Sequence, residues 1–210
     1  MKIYHFPLED SKYKIPKKLI HGTTSFGLLA ISDKGIKSRG YSPLGIQNPP
    51  SSLDFGEGFY CSLDNQVCRR QVETRAKTKA ESFNIDGISP IIIEVLVDKE
   101  IHTDQSLKCV YFDGRLEVDG LEWAEYIAFH RVKKDKKLCT IHPCENHPDI
   151  IIGPVADGKS VSKYAHDVYK GLLSIEEYYS IITKSSWFPE YKQYVFSDHA
   201  IKYLSPVLKL

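Results

Sequence analysis

Pro90-Ile91-Ile92-Ile93-Glu94-Val95-Leu96-Val97-Asp98 decides the fold class. The run is almost continuously apolar and rich in β-branched side chains, which predicts a strand buried on both sides near the centre of a sheet. Upstream, Gly58-Phe59-Tyr60-Cys61-Ser62 predicts a second strand. Between the two, Asp64 or Asn65 caps a helix reaching about Phe83, with Val67, Val72, Ala76 and Ala80 inward and Arg69, Arg70, Arg75, Lys77 and Lys79 outward.

Earlier still, Lys18-Leu19-Ile20-His21 predicts a short buried strand ending at Gly22. Thr24-Ser25 then caps a helix whose Phe26, Leu29 and Ala30 share one face, and Gly35 closes it as a left-handed cap. Lys37 to Ser52, with three prolines, predicts an irregular loop able to lie over a ligand. Downstream, Trp123, Ile127 and Arg131 fall at helical spacing, as do Tyr126 and Phe129, so Glu122 to Arg131 is expected to be a helix. Asp149 to Val155 predicts a strand, Ser174-x-x-Glu177 a capping box, and Gln193-Tyr194-Val195-Phe196 the last clear strand. Strands and helices do not alternate regularly, so the class is α+β.

A chain of 210 residues with 42% hydrophobic content supports one sizeable core, and residues 1–210 are read as a single domain. With 28 basic against 27 acidic residues, no overall field draws the protein toward nucleic acid or anionic lipid. Lys2, Glu9, Asp10, Lys12 and Lys14 leave the first twenty residues without an apolar signal core, and Pro90 to Leu96 and Ile150 to Val155 are too short to span a bilayer. The expected location is cytoplasmic. Five scattered cysteines point to reduced thiols and no structural disulfide.

Two short motifs can carry chemistry. In His21-Gly22-Thr23 the imidazole can bind a ribose hydroxyl, while the glycine backbone comes close enough to bind a planar amide. Taken alone, such a pair is more often a histidine satisfied locally at a strand end. Phe55-Gly56-Glu57-Gly58-Phe59-Tyr60 places two glycines before a strand and leaves aromatic rings to stack on a flat ligand, although an ordinary bulged strand start has the same pattern. Cys139-x-x-His142-x-Cys144-x-x-His147 offers four potential zinc ligands, but one short loop containing Pro143 wraps poorly around a tetrahedral ion, so no metal is expected.

The order of these motifs resembles the ADP-ribosyltransferase superfamily, in particular its diphtheria-toxin and poly(ADP-ribose) polymerase-like branch. His21-Gly22-Thr23 comes first, then a helix ending at Gly35-Ile36, then Phe55-Gly56-x-Gly58-x-Tyr60, the Ile91 to Val97 strand, and Gln193 to Asp198 followed by Ile201 to Leu204. The blocks around Glu122-Trp123, Asp149 to Asp157 and Gln193 also look like a small bacterial toxin-like family within it. The resemblance implies split, antiparallel-rich β-sheets around an NAD cleft with flanking helices. It implies NAD⁺ as substrate, His21 on a ribose, Gly22 on the nicotinamide carboxamide and Tyr60 beside the nicotinamide, with Thr23, Phe55, Gly56 and Gly58 completing the cofactor-binding set.

Where that branch begins its last motif strand with a glutamate, this chain has Gln193. An amide oxygen still accepts a hydroxyl hydrogen bond but supplies no negative charge. Glu122 and Glu125 are the nearest replacements, with Asp157 a third, and two alignments stay open. Either Glu125 begins the motif strand, or that segment is helical and Gln193 holds the position with Glu122 reaching in; chain order favours the second. The second aromatic that the superfamily often carries on the following helix is replaced by Val67-Cys68-Arg69-Arg70-Gln71, whose arginines can pair with a diphosphate, though a solvated basic face is the commoner outcome.

The implied activity is mono-ADP-ribosyl transfer from NAD⁺ to a macromolecular acceptor, protein, RNA or DNA. By family analogy the chain would be the toxin of a toxin-antitoxin or phage-defence system, with an antitoxin protein as partner. The alternatives are an NAD glycohydrolase and a catalytically silent module that binds NAD or ADP-ribose.

Overall fold

The computed structural model describes residues 3–5, 14–38, 53–132, 147–156 and 160–208. Its strands are β1 (Ile3–His5), β2 (Lys18–Thr24), β3 (Phe59–Ser62), β4 (Pro90–Val97), β5 (Lys108–Tyr111), β6 (Ile150–Pro154), β7 (Lys192–Phe196) and β8 (Leu204–Val207). Its helices are α1 (Ser25–Lys34), α2 (Gln66–Ser82), α3 (Gly120–Val132), α4 (Val161–Tyr169), α5 (Ile175–Ile182) and the single turn α6 (Asp198–Ile201). The class is α+β as expected.

Instead of the split sheets expected, the strands form one eight-stranded sheet in the order β1-β5-β6-β7-β3-β2-β4-β8. Every pairing is antiparallel except β5 with β6. The two halves meet at β2 and β3, where the ladder consists of the single pair Ile20 with Ser62. By contrast, β2 pairs with β4 along its whole length, from Lys18 with Leu96 to Thr24 with Pro90. The sheet is therefore continuous but nearly parted at one seam, and a cleft opens there.

Alternation along the strands sorts the core into two layers. Leu19, Phe59, Val95, Tyr194 and Phe196 bury one face, packed with Ile31, Ile101 and Ala200. Val110, Ile151 and Val195 bury the other, beneath Trp123, Tyr126 and Ile127 of α3 and Tyr178 and Ile182 of α5. Helix α2 covers that second face over β2 and β4.

Local chemistry explains the helix ends. Thr24 caps α1 by accepting from the Gly27 amide at 3.2 Å, and Asn65 caps α2 by accepting from the Cys68 amide at 2.8 Å. Ser174 and Glu177 form both halves of a capping box on α5. Gly35 closes α1 at a positive φ of +76° that favours glycine, but its ψ of −179° puts it outside the left-handed helical well expected. Three further expectations need correction. Cys68 takes the inward position on α2 that Val67 was expected to fill, and β4 lies one strand from the edge, with Leu96 47% exposed on it rather than buried. Strand β2 also continues past Gly22 to Thr24, because the β4 ladder holds it.

No described helix is long and apolar enough to cross a membrane. Cys61, Cys68 and Cys109 are buried free thiols. Residues 39–52 of the expected loop, Asp157, and Cys139, His142 and Cys144 of the expected cluster lie outside the described residues.

Candidate functional site

A cleft opens at the seam, floored by the sheet and walled by α2, and lined by His21, Gly22, Tyr60, Ser62, Val72, Arg75, Tyr191 and Gln193. Register accounts for the convergence. Tyr60 pairs with Val195 and Ser62 with Gln193, so Tyr60, Ser62 and Gln193 share the face that α2 covers. Gly22 faces the same helix: a Cβ there would sit 2.8 Å from the Val72 carbonyl oxygen and 2.9 Å from Val72 Cγ1. The missing side chain is what lets α2 lie on β2. Gly22→Ala is expected to cost about 1–3 kcal/mol by overpacking, read as a lower urea midpoint at unchanged slope; an unchanged midpoint would show that α2 yields freely.

His21 approaches from the other face, where its ring stacks on Phe59 at 4.2 Å. Its Nδ1 donates to the Tyr60 carbonyl at 2.7 Å and so bridges β2 and β3 just beyond the end of their ladder. Burial lowers its pKa from 6.5 to about 4, against the pull of that hydrogen bond and with help from the nearby Lys79 charge. Near neutral pH the imidazole is thus uncharged with its proton on Nδ1. What it offers a ligand is Nε2, an acceptor; the donor role is already taken.

Tyr60 is held by the glycine-rich segment before it. Its hydroxyl donates to the Gly56 carbonyl at 2.7 Å and accepts from the Phe55 amide at 3.2 Å. Burial and then the Asp54 charge push the phenol above its ordinary range, so it stays protonated. Gly56 makes the turn possible with φ +76°, a conformation that costs glycine nothing. Gly58 lies against Val195 of β7, and Phe55 is fully buried beside Phe112 and Tyr126. Phe55 and Gly56 therefore bear on the cleft by fixing Tyr60, and Gly58 lets this segment lie on β7; Phe55 has no face left to stack on a ligand. Thr23 is also buried, under the first turn of α1.

Gln193 is 5% exposed. Its side chain and that of Ser62 hydrogen-bond the Tyr191 phenol, whose pKa is raised by burial against the pull of the Arg75 charge and of those bonds. The floor is thus a neutral hydrogen-bonded group, and the Arg75 guanidinium lies 5.7 Å above the centre of the Tyr191 ring.

Residues Gly120–Val132 are helical, which removes the alignment in which Glu125 begins a strand. Glu122 and Glu125 are exposed on the outer side of α3, whose inward residues are Trp123, Tyr126 and Ile127. The structure does not bring either glutamate to the cleft. Ser62, Arg75 and Tyr191 were missed as site residues. Tyr191 precedes Gln193 by two, the strand period, and Arg75 follows Val72 by three, a helical spacing; those are the signals that could have found them.

The cleft holds about 80 Å³, well below the ~300–1,000 Å³ of pockets that enclose a drug-sized ligand. It suits one end of a dinucleotide, the remainder lying along the mouth. A larger groove of about 420 Å³ runs on the opposite flank of α2, between Glu73, Lys77 and the start of β4, away from His21 and Gln193. Among the described residues no three His, Cys, Asp or Glu side chains gather as a metal site.

No curated protein and no solved structure matches the chain significantly. A family model described as "Protein of unknown function (DUF3990)" matches residues 42–205, a span that takes in Tyr60, Arg75, Tyr191 and Gln193 and begins after His21 and Gly22. With most of its length inside that match, the chain belongs to the DUF3990 family.

Proposed function

We propose that the protein is an NAD⁺-dependent mono-ADP-ribosyltransferase acting on a macromolecular acceptor. One observation carries the reading: His21, Gly22, Tyr60 and Gln193, drawn from both ends of the chain, border one cleft. In this reading His21 Nε2 accepts from a ribose hydroxyl, the Gly22 backbone binds the carboxamide, and the fixed Tyr60 ring forms the wall beside the nicotinamide. The Gln193 amide oxygen accepts from the second ribose hydroxyl. The bond between the ribose anomeric carbon and the nicotinamide nitrogen breaks, its electron pair leaving with nicotinamide. A nucleophilic atom of the acceptor forms the new bond to that carbon and gives up its proton. Held geometry, rather than a charged partner, lowers the barrier. A toxin role with an antitoxin partner is the biological setting we propose for it.

A second reading, binding of NAD or ADP-ribose without turnover, is favoured by one feature: no carboxylate lines the cleft among the described residues. Purified protein incubated with adenylate-labelled NAD⁺ and separate pools of cell protein, RNA and DNA separates the cases. Labelled macromolecule with released nicotinamide is the expected result, absent in His21→Ala. Nicotinamide without labelled macromolecule indicates a glycohydrolase, and binding without release indicates the silent module. Neither binding nor release by the wild type overturns the site assignment.

A further inference from the structure

We propose that Arg75 and Lys79, one turn apart on the flank of α2 beside the His21 cleft, form an anion seat for the pyrophosphate of an ADP-ribosyl ligand. The inference rests on the dinucleotide reading of the cleft and adds which residues of this chain take its charged part. Residues four apart on a helix stand about 5–6 Å apart at Cβ and point the same way. Val72 and Ala76 of the adjoining buried stripe fix the rotation of α2 against Gly22.

The other cations of α2 are placed differently. Arg69 is chelated by Asp64 at 2.7 and 3.0 Å, Arg70 is exposed, and Lys77 approaches Glu81 at 4.0 Å on the far flank. Arg75 and Lys79 have no carboxylate partner among the described residues, and both are only partly exposed. A half-buried cation without a counter-charge is costly, and an incoming anion relieves that cost. Burial already holds the Lys79 ammonium below the usual lysine range, and its charge is felt by His21. The Tyr191 ring beneath Arg75 restricts the guanidinium, so little freedom is lost when it grips a phosphate in a forked pair of hydrogen bonds. The small size of the cleft fits this division: the flat ring goes in, and the phosphates stay outside, between Arg75 on the cleft wall and Lys79 one turn further along α2.

Calorimetric titration of the full chain with ADP-ribose, NAD⁺ and nicotinamide riboside, which has no phosphate, tests the seat. Arg75→Gln and Lys79→Met are each expected to weaken ADP-ribose about tenfold, the loss of one charged hydrogen bond. The riboside should change less than about twofold by the same bookkeeping, and Arg69→Gln should bind as the wild type does. Arg75→Lys, which keeps the charge and the fold but loses the fork, should fall between. Equal ADP-ribose affinity in the wild type, Arg75→Gln and Lys79→Met overturns the seat while leaving the dinucleotide reading intact. Equal losses for riboside and ADP-ribose also overturn it, since the residues would then be supporting the ring. Failure of the wild type to bind any of the three removes both proposals.

Discussion

Asp54→Ala lowers the stability of the fold by about 3–5 kcal/mol, the cost of removing one partner from a buried ion pair. The Asp54 side chain is 2% exposed and receives the Arg131 Nε–H at 2.7 Å on Oδ1 and the Ala156 amide at 3.2 Å on Oδ2. It therefore ties the segment before β3 to the last turn of α3 and to the end of β6. Truncation removes the Asp54 counter-charge from the largely buried Arg131 guanidinium. For a chain of this length the thermal midpoint should fall by about 10 °C. Asp54→Asn, which keeps an acceptor but not the charge, should lie between Ala and wild type. Asp54→Ala combined with Arg131→Met should regain much of the loss, because an apolar replacement of both partners is often close to neutral. A single-variant loss below about 1 kcal/mol would place the pair with surface ion pairs instead.

The same pair bears on the cleft, because Asp54 immediately precedes Phe55 and Gly56, the two residues that hold the Tyr60 hydroxyl. Loosening Asp54 frees the turn that fixes the Tyr60 ring. Ligand affinity in Asp54→Asn should thus fall more than the lost stability alone explains under conditions where the variant remains folded.

Features set by neighbouring residues were the readable part of the sequence. The capping box at Ser174 and Glu177, the Asn65 cap and the helical spacing of Trp123 and Ile127 each depend on a few adjacent positions, and each is present. Strands β1, β5 and β8 and helix α4 were not read, being short and mixed in polarity; their places are set by partners far along the chain or on other elements. Of the residues that line the cleft, His21, Gly22, Tyr60 and Gln193 were readable because motif order singled them out. Phe55 was not, since an aromatic before glycine has the same pattern whether it stacks on a ligand or on Phe112 and Tyr126. Arg75 was hidden among five basic residues of α2, and only the rotation of the helix against Gly22 separates it from Arg69 and Arg70.

Acidification from pH 6.5 to 4 destabilises the wild type by about 3 kcal/mol more than His21→Gln, at about 1.4 kcal/mol for each unit of a depressed pKa. The folded value is about 4 against 6.5 for an unhindered histidine, with burial as the main cause. Above pH 6.5 the imidazole is neutral folded and unfolded, and contributes no slope. Between the two values the unfolded chain binds a proton that the folded chain refuses, so stability falls as pH falls. Below about 4 the folded imidazole also takes the proton, and the loss levels off. Carboxylates held by favourable partners, such as Asp104 beside Ser106, Tyr203 and Lys202, release their contribution only below the ordinary carboxylate range, and the Asp119 carboxyl, which burial holds above that range, titrates alike in both proteins. Glutamine at position 21 does not titrate, and comparing urea midpoints of the two proteins at pH 7, 5 and 4 cancels the remaining groups. Parallel curves would mean that His21 protonates freely, and the neutral acceptor assigned to it would be lost. Ligand binding follows the same logic. An Nε2 that accepts from a ribose hydroxyl is available until its own pKa is reached, so ADP-ribose affinity should stay level from pH 8 to about 5 and decline toward 4, whereas a decline centred near 6.5 would contradict the burial of His21.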